Sequence, residues 1–283
     1  MRRWSVAILL LLAACSTAWA QERVRVPSRD EGVMLDAYLF RAPGEGAHPA
    51  VVFLHGCGGL MRPNGAINAR ELDWAARLNQ AGDSVLMVDS FSTRHIGEMC
   101  SSGSYQPGVY RWRSKDAYGA LLWLEAQPFV RADRVALIGW SLGGGTTMFA
   151  IGRDSPGRPA DIKQPDFQAA VAFYPGSCRA QMLGSDWSTA IPLLVLNGEA
   201  DVWTPAAPCR EVVDAAAAKG APVAIHLYPG AYHDFDWPGQ AYRELPGDRT
   251  GRGVVPIVAM DPAAMEDAHR RVLDFLASRL ASN

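Results

Sequence analysis

The sequence predicts an α/β fold, with a mostly parallel central sheet and helices on both of its faces. Three observations carry that expectation. From Arg23 onward, short apolar runs rich in β-formers alternate with segments of helical periodicity. Residues 50–56 (AVVFLHG) are almost unbroken in their apolar character, as befits a strand covered on both faces. No repeat or composition break divides residues 24–283, so a single core is expected.

The elements follow in order. Residues 33–40 (VMLDAYLF) read as an early strand with polar breaks, and residues 50–56 as a buried one. Residues 69–82 place Leu72, Ala75, Ala76 and Leu78 at helical spacing and stop at Gly82. Residues 84–90 (SVLMVDS) are the next strand, followed by a long Ser- and Gly-rich loop from Phe91 to about Gly108 that holds Cys100. Residues 110–128 are amphipathic and end before Pro128, which disfavours helix at the residue preceding it. Residues 134–139 (RVALIG) form a strand that leads into Ser141. Three more strands, 169–176, 191–198 and 222–230, each close on a glycine turn, with a helix over 205–220 between the last two. A final helix starts at Pro262 behind an Asp261 cap. Between Ser141 and residue 191 there is room for about two short elements and a polar loop, so no large cap domain is expected and the site should be open.

With 283 residues, 49% of them hydrophobic, the chain can bury a full core. Its 27 basic and 29 acidic residues form no long run of one sign, which excludes the electrostatic footprint of a nucleic-acid binder. Residues 1–20 carry a basic start, an apolar stretch too short to span a bilayer and a small-x-small ending before Gln21. They read as a signal peptide, leaving residues 21–283 as one domain in the periplasm or outside the cell. Residues 12–15 (LAAC) also resemble a bacterial lipobox, the alternative in which Cys15 is lipidated and the protein anchored to a membrane. No C-x-x-C or H-x-x-x-H spacing occurs, and no metal or other cofactor is expected.

The chemical signal is Gly139–Trp140–Ser141–Leu142–Gly143, a G-x-S-x-G placed directly after a strand. On a sharp strand-to-helix turn the flanking glycines let neighbouring backbone pass, and the serine hydroxyl is presented above the sheet. A serine needs an imidazole to take its proton and an acid to orient that imidazole. In open α/β sheets such groups gather beyond the carboxyl ends of the strands. Asp201 and His233 follow two consecutive strands, and the chain order Ser141, Asp201, His233 is the one expected for a catalytic triad on such a sheet. Glu199 is the nearest rival acid, and Asp234 is merely adjacent to the base. His226 lies within a strand and His269 on the last helix, His48 is in a loop before a strand, and His95 in the long loop could touch substrate but lacks a partner in sequence. His55 opens the HGCGG turn and is expected to brace it.

The negative charge of a tetrahedral intermediate needs backbone donors. Leu142 N–H at a helix start and Cys57 N–H in the HGCGG turn are the candidates for an oxyanion hole. Trp140, Trp203, Tyr232 and Trp237 lie beside these residues in sequence and are candidates for an apolar substrate rim, with Arg94 a candidate for binding a substrate carboxylate.

Together LHGCGG, GWSLGGG, NGEAD and YPGAYHDFD resemble the dienelactone hydrolase family of α/β-hydrolases, over roughly residues 33–280. The resemblance implies an eight-stranded α/β-hydrolase sheet and hydrolysis of carboxylic esters or lactones. The name-giving enzymes carry cysteine where this chain has Ser141, so a serine esterase acting on a small-molecule ester or lactone through an acyl-enzyme is expected. Two alternatives stand beside it: a catalytically idle, surface-anchored binding protein on the same fold, and a prolyl-oligopeptidase-like peptidase. Setting Cys15 aside, four cysteines allow three pairings. Cys57 with Cys100 and Cys178 with Cys209 are the expected disulfides, because each pair follows strands at the same end of the sheet.

Overall fold

The computed structural model describes residues 21–281 apart from 102, 107, 161, 163–165, 249, 251 and 252. Residues 1–20, over which the sequence predicts a signal peptide or a lipidated Cys15, lie outside the described residues. The sheet strands are β1 (Gln21–Pro27), β2 (Met34–Phe40), β3 (His48–Leu54), β4 (Ser84–Asp89), β5 (Val130–Trp140), β6 (Ala169–Phe173), β7 (Leu193–Gly198) and β8 (Val223–Tyr228). They form one eight-stranded sheet in the order β1-β2-β4-β3-β5-β6-β7-β8. From β4 through β8 every pairing is parallel, and β1 and β2 add an antiparallel edge. The helices are α1 (Ala69–Gln80), α2 (Val109–Glu125), α3 (Leu142–Ile151), α4 (Ala180–Leu183), α5 (Ala206–Ala218) and α6 (Pro262–Leu280).

The period of two in a strand divides the core into two layers. Val52 and Leu54 of β3 face α2, α3 and α5, where Leu121, Met148 and Val213 are buried. Val51 and Phe53 face α1 and α6, where Trp74, Leu78, Val272 and Leu276 are buried. Both faces of the central strands are therefore covered, which is why their sequences read as continuous apolar runs. At the start of α6, the Asp261 carboxylate accepts from the N–H groups of Ala263 and Ala264 at 3.0 Å each, and Pro262 fills the first helical turn.

Two elements were not legible in the sequence. β1 (QERVRVP) is an edge strand with only Val26 buried, so its pattern is weak. A two-stranded ribbon, β9 (Arg243–Glu244) with β10 (Ile257–Val258), occupies the segment between His233 and α6. Each of its strands has two residues, too few for a periodicity to register.

The disulfides are Cys57–Cys100 and Cys178–Cys209, as expected. The first joins the turn after β3 to the long loop after β4. The second joins the loop after β6 to α5. Two disulfides fit folding in an oxidising compartment. No helix among the described residues is long and apolar enough to cross a membrane.

Candidate active site

Ser141 sits between β5 and α3 with φ 53° and ψ −113°, a left-handed backbone that a non-glycine residue adopts only under constraint. The constraint is visible in its glycine neighbours. A Cβ on Gly139 would lie 2.2 Å from Gly143 O, and one on Gly143 would lie 1.9 Å from Leu54 O, both well inside contact distance. The motif's glycines therefore allow α3 to start against the ends of β5 and β3. Ser141 O accepts from Gly145 N–H at 2.9 Å and Gly176 N–H at 2.8 Å, which fixes the turn from two sides.

Asp201 and His233 are brought together by a similar close approach. A Cβ on Gly198, the last residue of β7, would lie 2.1 Å from Ala231 O, so glycine is what lets the loops after β7 and β8 touch. His233 Nδ1 is 2.7 Å from Asp201 Oδ2. A carboxylate only accepts, so the shared proton sits on Nδ1, and Nε2 of the neutral ring is left to accept. Asp201 is held by three other donors: Trp203 N–H and Thr204 N–H at 2.8 Å on Oδ1, and Thr204 Oγ1 at 2.7 Å on Oδ2. Both groups are almost completely buried. Burial works against the imidazolium, but the Asp201 carboxylate beside it outweighs that cost and holds His233 above its ordinary pKa. The rings of Tyr174 and Trp203 flank the imidazole at 4.4 and 4.9 Å between centroids.

Ser141 and His233 share the wall of one cleft of about 240 Å³, and Ser141 also lines a second of about 490 Å³. Cys57 lines both and Leu142 lines the larger. Leu142 opens α3, where the first N–H groups have no partner within the helix. Cys57 is tethered twice to the loop after β4, by Met99 N–H donating to its carbonyl at 2.8 Å and by the disulfide to Cys100.

His55 lies beneath this turn. Its Nδ1 donates to Gly56 O at 2.7 Å, and its Nε2 accepts from Ser90 N–H at 3.3 Å. Its own carbonyl accepts from the buried Arg113 guanidinium at 2.8 Å. Burial and the nearby Arg113 cation push His55 well below the ordinary histidine range, so it stays neutral as a brace.

Three sequence-predicted substrate contacts are placed elsewhere. Trp140 is fully buried, pointing with Ile138 and Ala136 toward α1 and α6, and its indole N–H donates to Asp236 at 2.8 Å. Arg94 makes a two-pronged pair with Asp116 at 2.8 and 2.9 Å, so its charge is spent within the fold. Tyr232 packs edge-on against Tyr242 and lines neither cleft among the described residues. Trp203 lines both clefts and Trp237 the smaller.

Several residues of the site were not foreseen. Thr204 bonds to the acid, and in sequence its only signal is that it lies three residues beyond Asp201. Arg70, buried on α1, donates to Glu71, Asp234 and Tyr174 and reaches the wall of the smaller cleft. Asp236 accepts from Trp74, Trp140 and Tyr174. This buried network holds residues 234–236, immediately after His233, against α1 and the end of β5. The ribbon also contributes, because Ala259 N–H donates to His233 O at 3.1 Å.

Comparisons with known proteins agree with this architecture. The chain is 26% identical over 212 residues to "Probable 2-oxo-3-(5-oxofuran-2-ylidene)propanoate lactonase" of a Bradyrhizobium species, covering 70% of this chain and 78% of the relative. The crystal structure of dienelactone hydrolase from Anabaena variabilis superposes with a TM-score of 0.62 at 18% identity, covering 92% of this chain and 98% of that one. Thermogutta terrifontis esterase 2, solved phosphoramylated by tabun, superposes with a TM-score of 0.66 at 18% identity, covering 93% and 97%. Residues 35–280 match the model of the dienelactone hydrolase family, a span that runs from the second residue of β2 to the end of α6 and takes in every residue of the candidate site, so the chain belongs to that family and is a carboxylic ester hydrolase.

Proposed function

We propose that the protein is an exported serine hydrolase that cleaves carboxylic esters or lactones through an acyl-enzyme on Ser141. His233 takes the serine proton as Ser141 Oγ attacks the carbonyl carbon, then delivers it to the departing alcohol oxygen. Water, activated by the same imidazole, releases the acid. Asp201 fixes the Nδ1–H tautomer and steadies the imidazolium. Leu142 N–H and Cys57 N–H receive the developing oxyanion. Export rests on the signal-like residues 1–20 together with the two disulfides; anchoring through a lipidated Cys15 is the alternative arrangement.

The observation that carries this reading is the buried Asp201–His233 pair, at 2.7 Å, on loops next to a serine held at φ 53° in a strand-to-helix turn. Reaction with a fluorophosphonate tests it. One equivalent of adduct on the peptide containing Ser141 is expected, and an unlabelled Ser141 in active protein refutes the nucleophile.

The pH dependence follows from the raised His233 pKa. The base works only when neutral, so kcat/KM is low on the acid side, rises as His233 loses its proton and then levels. Because that pKa is raised, the midpoint is expected above the unperturbed value of about 6.5. His55 stays neutral through this window and does not contribute. A midpoint below that value, or a rate that falls across the window, contradicts the assignment.

Cys57 gives the first disulfide a catalytic consequence. Each disulfide closes a loop, of 43 and 31 residues respectively, and each is expected to stabilise the fold by about 4 kcal/mol. Cys100→Ala frees the oxyanion turn from one of its two tethers, and kcat is expected to fall at least about tenfold, part of the cost of losing a whole oxyanion donor. Circular dichroism checks that the variant remains folded at the assay temperature. Unchanged turnover would remove Cys57 from the oxyanion hole.

A further inference from the structure

The two clefts beside Ser141 differ in size and in the charged groups on their walls, and the proposed reaction assigns each of them a part of the substrate. Both are bounded by Ser141, Cys57, Cys100 and Trp203, so they are lobes of one site divided over the serine. His233 lines only the smaller lobe, and Leu142, the first residue of α3, only the larger. The proton held by His233 goes to the leaving oxygen, so the alcohol portion of an ester extends into the smaller lobe. The acyl portion then extends into the larger one.

The larger lobe, about 490 Å³, is lined by Met99, Tyr105, Tyr110 and Met182 together with Trp203. Tyr110 is fixed by stacking on Phe149 at 4.7 Å between centroids and 9° between planes. Tyr105 and Met182 are 41% and 38% exposed, two of the few large apolar side chains left open to solvent among the described residues. Their position on this rim gives that exposure a purpose. The charged groups on the same lobe are Arg179 and Asp248, of opposite sign, so it carries no net preference for a charged acyl group. Aromatic and thioether surfaces favour contact with rings, and this lobe has about twice the volume of the other.

The smaller lobe, about 240 Å³, sets Trp237, Leu245 and Val258 beside a charged and polar wall of Arg70, Asp234 and Arg243. With about half the volume of the larger lobe and charged groups on its wall, it favours a compact alcohol over a bulky one.

We propose that the enzyme selects esters in which a bulky apolar acyl group, an aryl-bearing one above all, is joined to a small alcohol. Tyr105 and Met182 are specificity-determining residues of the acyl lobe. This inference rests on the serine–histidine reading of the site.

The test uses the isomers methyl phenylacetate and benzyl acetate, which carry the same ring on opposite sides of the ester and have alkyl alcohols of similar reactivity. Hydrolysis by the full-length mature protein is followed by proton release at constant pH, which needs no chromogenic alcohol. The expected result is a kcat/KM for methyl phenylacetate at least about tenfold above that for benzyl acetate, the discrimination a well-fitted apolar pocket supplies. Tyr105→Ala and Met182→Ala, at exposed positions that the core does not need, should each reduce that ratio about three- to tenfold. Equal rates, a preference for benzyl acetate or a ratio indifferent to both substitutions overturns the lobe assignment while leaving the serine esterase intact. Failure to hydrolyse any ester, by protein that is folded, overturns the esterase reading and this inference with it.

Discussion

Ser141→Ala is expected to lower ester hydrolysis by at least about 10³-fold while leaving the fold in place, because nucleophile and base act as a unit and neither substitutes for the other. The side chain removed is a single hydroxyl at the floor of a cleft, and the flanking close approaches at Gly139 and Gly143 are untouched. The backbone at φ 53° already carries a Cβ, so alanine adds no new strain. Steady-state kinetics and thermal unfolding on the same preparation separate the two effects. Substantial residual turnover, in protein free of wild-type contamination, would remove Ser141 from the reaction.

Asp201→Asn should cost about 10⁴-fold in kcat, a loss of the size known for this exchange in serine proteases. The reason lies in the four donors that converge on Asp201: Trp203 N–H and Thr204 N–H on Oδ1, Thr204 Oγ1 and His233 Nδ1 on Oδ2. An amide has one accepting oxygen. If that oxygen stays with the two backbone N–H groups, the amide NH₂ faces Nδ1, and the imidazole must hold its proton on Nε2, where it cannot accept from the serine. The carboxylate that raises the His233 pKa is also lost, so any residual activity should rise at a lower pH than in the wild type. Glu199→Gln, at an exposed position two residues earlier, should change little. If it proves the more damaging exchange, the acid has been misassigned.

What the sequence revealed and what it hid follow from the same geometry. The candidate triad was legible because each member follows the end of an apolar strand, and parallel strands carry such positions to one edge of the sheet. The glycines at 139 and 143 were legible because a Cβ there would lie 2.2 and 1.9 Å from backbone carbonyl oxygens, which permits no side chain. Trp140 misled because adjacency in sequence is not adjacency in space. Successive residues of β5 alternate in direction, so the neighbour of Ser141 points into the layer beneath α1 and α6. Arg94 misled because its partner Asp116 lies 22 residues away on α2, and only the folded chain shows the charge to be neutralised. The network of Arg70, Tyr174, Asp234 and Asp236 joins residues up to 164 positions apart, and no local pattern announces it. The β9–β10 ribbon lines the alcohol lobe through Arg243 and Val258 without any periodicity of its own.

The central claim is a covalent acyl intermediate on Ser141, and its most direct measurement is mass spectrometry of enzyme quenched within milliseconds of mixing with a slowly deacylating aryl ester. The expected spectrum shows intact protein heavier by one acyl group, with the added mass on the peptide that contains Ser141 and no such species in Ser141→Ala. Turnover that proceeds with no acylated protein at any time, or an acyl group that maps to another residue and forms at the rate of turnover, would contradict the account.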